Sequence, residues 1–198
     1  MTDDSTGATA RQLSTRRVLT VPNLLSFIRI ALIPVFVILI ADEGSRLGGF
    51  VLLGFVQATD WVDGYIARRY DQVTELGKLL DPFADRLAVA AALITFVAVD
   101  IFPLWAALLV LVRDGLILLA AAYLGITRGP RIDVRRIGKI ATFTLMWAIP
   151  MIAWGNAGLP IDDVAVVLGW VWFPVGILEY YAATAAYVVD LRRAFASR

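Results

Sequence analysis

The chain has 198 residues, of which 60% are hydrophobic and 18% charged, and its mean hydropathy is +0.76; a soluble domain is nearer one-half apolar, so the composition reads as a one-domain membrane protein. There is no cysteine and no histidine, which excludes disulfides, zinc–thiolate sites and thiol catalysis and removes the commonest general base and transition-metal ligand. With a formal net charge of +1, chemistry falls to carboxylates, Lys/Arg, hydroxyls and backbone, and the placement of charge matters more than its sum.

Residues 1–17 are polar, Ser/Thr-rich and without hydrophobic periodicity, and read as a disordered or interfacial arm. They do not read as a signal peptide, because the apolar run that follows Arg17 exceeds an h-region and lacks a small-residue cleavage site. Residues 18–198 read as a single six-helix domain. A membrane helix needs roughly 20 mostly apolar residues, and six stretches meet or approach that length: Val21–Ala41, Gly48–Arg68, Leu80–Val99, Pro103–Gly125, Ile137–Gly155 and Val164–Leu191. The breaks carry turn chemistry: "DEGSR" after Ala41, "DIFP" around Asp100, "TRGPRID" from Thr127 and "NAGLPIDD" from Asn156. The fold class is therefore an all-α integral membrane protein with six transmembrane helices.

Lysine and arginine set the expected orientation. With both termini cytoplasmic, Arg11, Arg16, Arg17, Arg69, Lys78, Arg128, Arg131, Arg135, Arg136, Lys139, Arg192, Arg193 and Arg198 fall on the inner side, and the outer loops keep Arg46 alone. The outer loops carry Asp42, Glu43, Asp100, Asp162 and Asp163 instead. The connection between spans two and three then faces the cytoplasm.

That connection is flanked by an acidic constellation, "DWVDGYIARRYDQVTELGKLLDPFAD". Asp60, Asp63, Gly64, Ala67 and Arg68 have the spacing of one helical stripe, as do Gly77, Asp81 and Asp85. A third helix starting near Lys78 would put Pro82 in its first turn, where proline is tolerated. Helices joined by a short loop pack antiparallel, so facing stripes would bring four carboxylates together near the boundary. A carboxylate at the bilayer centre costs about 2.5–3.5 kcal/mol, and like charges held close repel unless a cation sits among them. An all-oxygen donor set suits Mg²⁺, Mn²⁺ or Ca²⁺. Two such ions sharing carboxylates would serve phosphoryl transfer. Gly64 and Ala67 leave room for a ligand or a close helix, and Arg68 offers a planar fork to a phosphate. The plainer alternative, interfacial acids capping helix ends, accounts for a lone Asp but not for the whole pattern.

The string Asp60-x₂-Asp63-Gly64-x₂-Ala67-Arg68-x₈-Gly77-x₃-Asp81-x₃-Asp85 resembles, without departure, the signature of the CDP-alcohol phosphatidyltransferases, and the resemblance runs from Val18 onward. It implies six membrane helices, usually a homodimer, and transfer of a phosphatidyl group from CDP-diacylglycerol to an alcohol with release of CMP. It also implies that Asp60, Asp63, Asp81 and Asp85 hold two Mg²⁺ or Mn²⁺ ions, with Asp85 the catalytic base for the acceptor hydroxyl. Asp60, Asp63, Gly64, Ala67, Arg68, Gly77 and Asp81 would bind the CDP moiety. The expected partners are CDP-diacylglycerol, an acceptor alcohol and membrane lipids, with no nucleic acid; the expected location is the plasma membrane, the site facing the cytoplasm.

Charges outside the motif are the candidates for the acceptor. Arg29 lies in span one and either faces the site or snorkels to the inner interface. Arg113 lies with Asp114 near the middle of span four, and Arg136 and Lys139 open span five; the alternative for Arg136 is positive-inside anchoring. Glu179 in span six has no explanation from the sequence, an interior arginine being one candidate partner, while Trp170, Trp172, Tyr180 and Tyr181 read as packing or interface-belt residues. Three segments, "VLTVPNLLSFIRIALIP", "LVRDGLILLAAAYL" and "IGKIATFTLMWAIP", resemble the branch that makes glycerol-based anionic lipids. The Gly138–Pro150 run resembles the CMP-forming cardiolipin synthases of that branch, a resemblance that implies phosphatidylglycerol as acceptor, with glycerol 3-phosphate the alternative. A reading from another class, a divalent-cation transporter, would distribute its acids across the bilayer depth, and here they cluster at one face.

Overall fold

The computed structural model describes residues 21–70, 75–126 and 136–196; within its helices, the side chains at 21–23, 25, 60–70, 75–82, 121–126, 136, 137, 139 and 194–196 fall outside the description. Every regular element among the described residues is helical: α1 (Val21–Ala41), a 3₁₀ turn (Glu43–Ser45), α2 (Arg46–Tyr70), α3 (Glu75–Ala98), α4 (Leu104–Ile126), α5 (Arg136–Gly155) and α6 (Asp162–Ala196). The six expected spans each coincide with one of these helices. The arm and the "TRGPRID" connection lie outside the described residues. Among those described, one helical stretch, Asp162–Arg193, passes the length and hydropathy test for a membrane span, and Ser26–Ala41 and Ile140–Gly155 are shorter apolar helices.

One expectation is corrected. α3 begins at Glu75 rather than near Lys78, so Pro82 lies beyond the first turn. The carbonyl of Lys78 then lacks its helical donor, the usual cost of an interior proline. Apolar α-helices absorb such prolines repeatedly here, with Pro34 inside α1, Pro150 inside α5 and Pro174 inside α6.

The chain divides into two compact units, Met1–Ala92 and Leu93–Arg198. In the first, α1 packs on α2 across a tight reversal. Asp42 N–H donates to the Ile38 carbonyl, Ser45 N–H to the Asp42 carbonyl, and Arg46 Nε to the Ile40 carbonyl at 3.3 Å. Gly49 permits the approach: a Cβ there would lie 2.7 Å from Ile40 Cδ1. Phe36, Ile40 and Phe50 are buried in this unit.

In the second unit, α3 ends in a Schellman turn. Asp100 takes φ 59°, its N–H donates to Val97 and that of Ile101 to Phe96, so two terminal carbonyls are satisfied before Pro103 leads into α4. α5 packs against α6 along glycines that admit no side chain: a Cβ at Gly169 would meet the Ile152 backbone nitrogen at 2.8 Å and the Ala148 carbonyl at 3.0 Å. Gly176 does the same against Leu145. Close backbone approach of this kind is how helices associate where water gives no hydrophobic drive between them. The hairpin is closed by Trp154 Nε1 donating to the Pro160 carbonyl at 2.8 Å, and Asn156 Nδ2 ties it to the α3–α4 connection by donating to the Ile101 carbonyl at 3.1 Å. Trp170 stacks on Trp105 at 5.6 Å, and Phe102 and Phe173 complete the cluster edge-on, which assigns Trp170 to packing. Trp172 is exposed.

Candidate active site

The acidic motif is carried entirely on two consecutive helices: Asp60, Asp63, Gly64, Ala67 and Arg68 on α2, and Gly77, Asp81 and Asp85 on α3. Residues 71–74 between them, and all of these side chains except that of Asp85, lie outside the described residues. Asp85 is exposed, and its Oδ1 accepts from Nη1 of Arg29 on α1. The two partners differ in surroundings: the side chain of Arg29 is 10% exposed, that of Asp85 55%. The covered Arg29 therefore turns to an exposed carboxylate.

Beneath this pair runs an apolar crevice of about 30 Å³. It is lined by Arg29, Leu32, Ile33 and Phe36 of α1, Leu52, Leu53 and Val56 of α2, and Ala88 and Ala92 of α3. The lining fixes how the helices run. With Ile40 level with Gly49 at the reversal, the 1.5 Å rise per residue puts Phe36 level with Leu53 and Ile33 level with Val56, and all four line the crevice. α3 returns along it through Ala88 and Ala92. The crevice-facing stripe of α2 is Leu52–Val56, and that of α3 is Ala92–Ala88.

A second polar cluster lies in the other unit. Arg113 and Asp114, near the middle of α4, are both buried. Arg113 Nε donates to Thr184 Oγ1 at 2.7 Å and Nη1 to Asp114 Oδ1 at 3.1 Å. The guanidinium carbon stands 3.8 Å from the centroid of the Tyr180 ring, a cation–π contact. The Tyr180 hydroxyl donates to Asp114 Oδ1, and Thr184 Oγ1 also lies 2.9 Å from the Tyr180 carbonyl. Arg113 is thus engaged through two nitrogens and one face, as a desolvated guanidinium must be. Tyr180 does more here than pack, and Thr184 was not singled out from the sequence. The signal was present: an Arg–Asp pair in an apolar helix needs polar partners, and Tyr180 and Thr184 are one turn apart on α6. Tyr181, also expected to pack, donates through its hydroxyl to the Leu109 carbonyl at 2.9 Å. For Glu179 the partner among the described residues is Thr144, whose Oγ1 lies 3.3 Å from Oε2.

Arg136 is the first residue of α5 and Lys139 lies in its first turn; both side chains are outside the described residues.

Six helices, with an acidic motif borne on two consecutive ones and an arginine against its last aspartate, define the class of this protein as all-helical. The chain belongs to the CDP-alcohol phosphatidyltransferase family, which it matches over residues 19–178. It is 37% identical over 187 residues to the cardiolipin synthase (CMP-forming) of Streptomyces coelicolor, covering 92% of this chain and 87% of that protein. It is 34% identical over 183 residues to the CDP-diacylglycerol–glycerol-3-phosphate 3-phosphatidyltransferase of Bacillus subtilis, covering 77% of this chain and 92% of that protein. The cation-transporter reading is set aside by this membership.

Proposed function

We propose that the protein transfers a phosphatidyl group from CDP-diacylglycerol to phosphatidylglycerol, forming cardiolipin and CMP, in a six-span membrane homodimer whose site faces the cytoplasm. The observation that carries the reading is the continuity of the two acidic stripes with the crevice. On α2, Leu52 and Val56 lead in steps of three or four residues to Asp60, Asp63 and Ala67; on α3, Ala92 and Ala88 lead likewise to Asp85 and Asp81. The α1–α2 register, carried one turn past Val56, brings Asp60 level with Arg29, which holds Asp85. By the same sequence spacing Asp63 and Asp81 come about one turn further along these two stripes, the arrangement that the proposed four-carboxylate site requires.

This donor set fits a hard divalent cation. It is all carboxylate, in a chain without histidine or cysteine. Asp60, Asp63, Asp81 and Asp85 would hold the metal, Mg²⁺ or Mn²⁺, which when bound supplies charge neutralisation of the pyrophosphate. The remaining chemistry belongs to the chain. Gly64 and Ala67 leave space along the stripe for CDP, and Arg68 pairs with its phosphate. Asp85 accepts the proton of the acceptor hydroxyl. That oxygen forms a new bond to the phosphorus bearing diacylglycerol, the bond from that phosphorus to the bridging pyrophosphate oxygen breaks, and CMP leaves with the bond's electron pair.

Membrane embedding is supported by the apolar side chains on the outer faces, among them Ile38, Phe55, Leu119 and Leu178, each exposed by 64–71%; such a surface suits lipid. Phosphatidylglycerol is favoured over glycerol 3-phosphate by the Gly138–Pro150 pattern and by a higher identity to the Streptomyces enzyme over a larger share of this chain than to the Bacillus one. The acceptor role expected for Arg136 and Lys139 rests on their charge and their place in the first turn of α5, where backbone N–H groups also favour an anion. The test is an acceptor panel. Purified protein with CDP-diacylglycerol and Mg²⁺ or Mn²⁺ should form cardiolipin with phosphatidylglycerol, and at least tenfold less product with glycerol 3-phosphate or inositol phosphate. Preferential formation of phosphatidylglycerophosphate would reassign the acceptor.

A further inference from the structure

We propose that Arg29 is a positioning residue for Asp85 and not a ligand of the acceptor. The inference rests on the reaction proposed above. The asymmetry of the pair carries it: the guanidinium is nine-tenths covered, whereas the carboxylate it holds is 55% exposed. Arg29 also forms part of the wall of the apolar crevice, among Leu32, Phe36, Val56 and Ala88. A substrate approaching the exposed side of the pair therefore meets Asp85 first, with Arg29 behind it.

The chemistry of the pair fits this order. A guanidinium in an apolar wall is costly unless paired, and Asp85 is the partner the geometry supplies. In return a planar cation on a different helix fixes one carboxylate oxygen, Oδ1, which leaves the rotamer of Asp85 no freedom to swing away from the stripe it shares with Asp81. A base held within hydrogen-bond reach of its proton is worth far more than one sampling several rotamers, because misplacement by about 1 Å can cost on the order of 10²-fold in rate. Lysine at position 29 would keep the charge but not the planar fork.

Steady-state kinetics of Arg29→Gln and Arg29→Lys separate this role from acceptor binding. Arg29→Gln should lower kcat by about 10- to 100-fold while KM for phosphatidylglycerol and for CDP-diacylglycerol moves by no more than about twofold, the signature of an interaction absent from substrate binding. Arg29→Lys should recover part of the lost kcat. In an Asp85→Asn background, Arg29→Gln should cost little further, since a residue acting through Asp85 has nothing left to position. A rise of tenfold or more in the acceptor KM with kcat unchanged would make Arg29 an acceptor ligand and overturn the proposal, as would additive losses in the double variant. Should Arg29→Gln fail to fold, Arg29→Lys carries the same split: kcat lowered at constant KM supports the role, and a raised acceptor KM contradicts it. Absence of CMP release by the wild-type protein with any acceptor would instead refute the reaction itself, a result distinguishable from either.

Discussion

Asp85→Asn is expected to lower the rate of CMP release by about 10²- to 10⁴-fold, the range typical for loss of a positioned general base, in a protein that folds as the wild type does. Asparagine keeps the size of the side chain and an oxygen that can still accept from Arg29, so the substitution removes charge and basicity while leaving the exposed surface of α3 in place. The same change at Asp60, Asp63 or Asp81 should be comparably damaging, because each removes one of four carboxylates from a shared cation site. A control is available on the same molecule. Asp163, exposed in the first turn of α6 and distant in sequence from the motif, should tolerate asparagine with activity within about twofold of wild type and a stability change within about 0.5 kcal/mol. Activity of Asp85→Asn within threefold of wild type, measured as CMP formed per minute in detergent, would remove Asp85 from the base role.

The second large effect concerns stability. Asp114 accepts from both Arg113 and Tyr180 while buried, and removing one member of a buried pair leaves the other charge without compensation. Asp114→Ala should therefore cost about 3–5 kcal/mol, and Tyr180→Phe about 1–3 kcal/mol, read as a lowered midpoint in thermal unfolding followed by tryptophan fluorescence. The informative variant is the pair. Replacing Arg113 and Asp114 together by methionine and leucine removes both charges and should recover most of the loss, since apolar side chains of similar volume often do as well as a buried ion pair. If the double variant is as unstable as Asp114→Ala, the network is not what the loss measures. If it is stable but no longer releases CMP, Arg113 serves the acceptor after all, as its charge first suggested.

How far the sequence carried depended on whether a feature was local. Helix existence was legible because each apolar run is long and bounded by Asp, Gly or Pro. The stripes of the acidic motif are a reading of helical spacing; the structure puts the motif on α2 and α3 and describes the side chain of Asp85 among its residues. The helix ends were less legible. The Pro82 rule placed the start of α3 at Lys78, but an apolar α-helix with neighbours can accept an interior proline, and α3 extends back to Glu75. Partners across helices were not legible at all. Arg29 lies 56 residues from Asp85 and Arg113 lies 71 from Thr184; Arg29 and Asp85 flank the crevice that α1, α2 and α3 line together, and Arg113 meets Thr184 through the packing of α4 on α6. Glu179 shows the same limit, since its role could not be read from the sequence and the fold sets it against the hydroxyl of Thr144.

Equimolar formation of CMP and lipid product is the most direct test of the central claim. Purified protein in detergent would receive CDP-diacylglycerol and phosphatidylglycerol, with Mg²⁺ or with a chelator, and CMP and cardiolipin would be quantified in the same sample. One CMP per cardiolipin, abolished by the chelator and restored by added Mg²⁺ or Mn²⁺, is the expected result. No CMP from CDP-diacylglycerol under any of these conditions, or CMP formed without a matching lipid, would contradict a carboxylate-borne phosphatidyl transfer on α2 and α3.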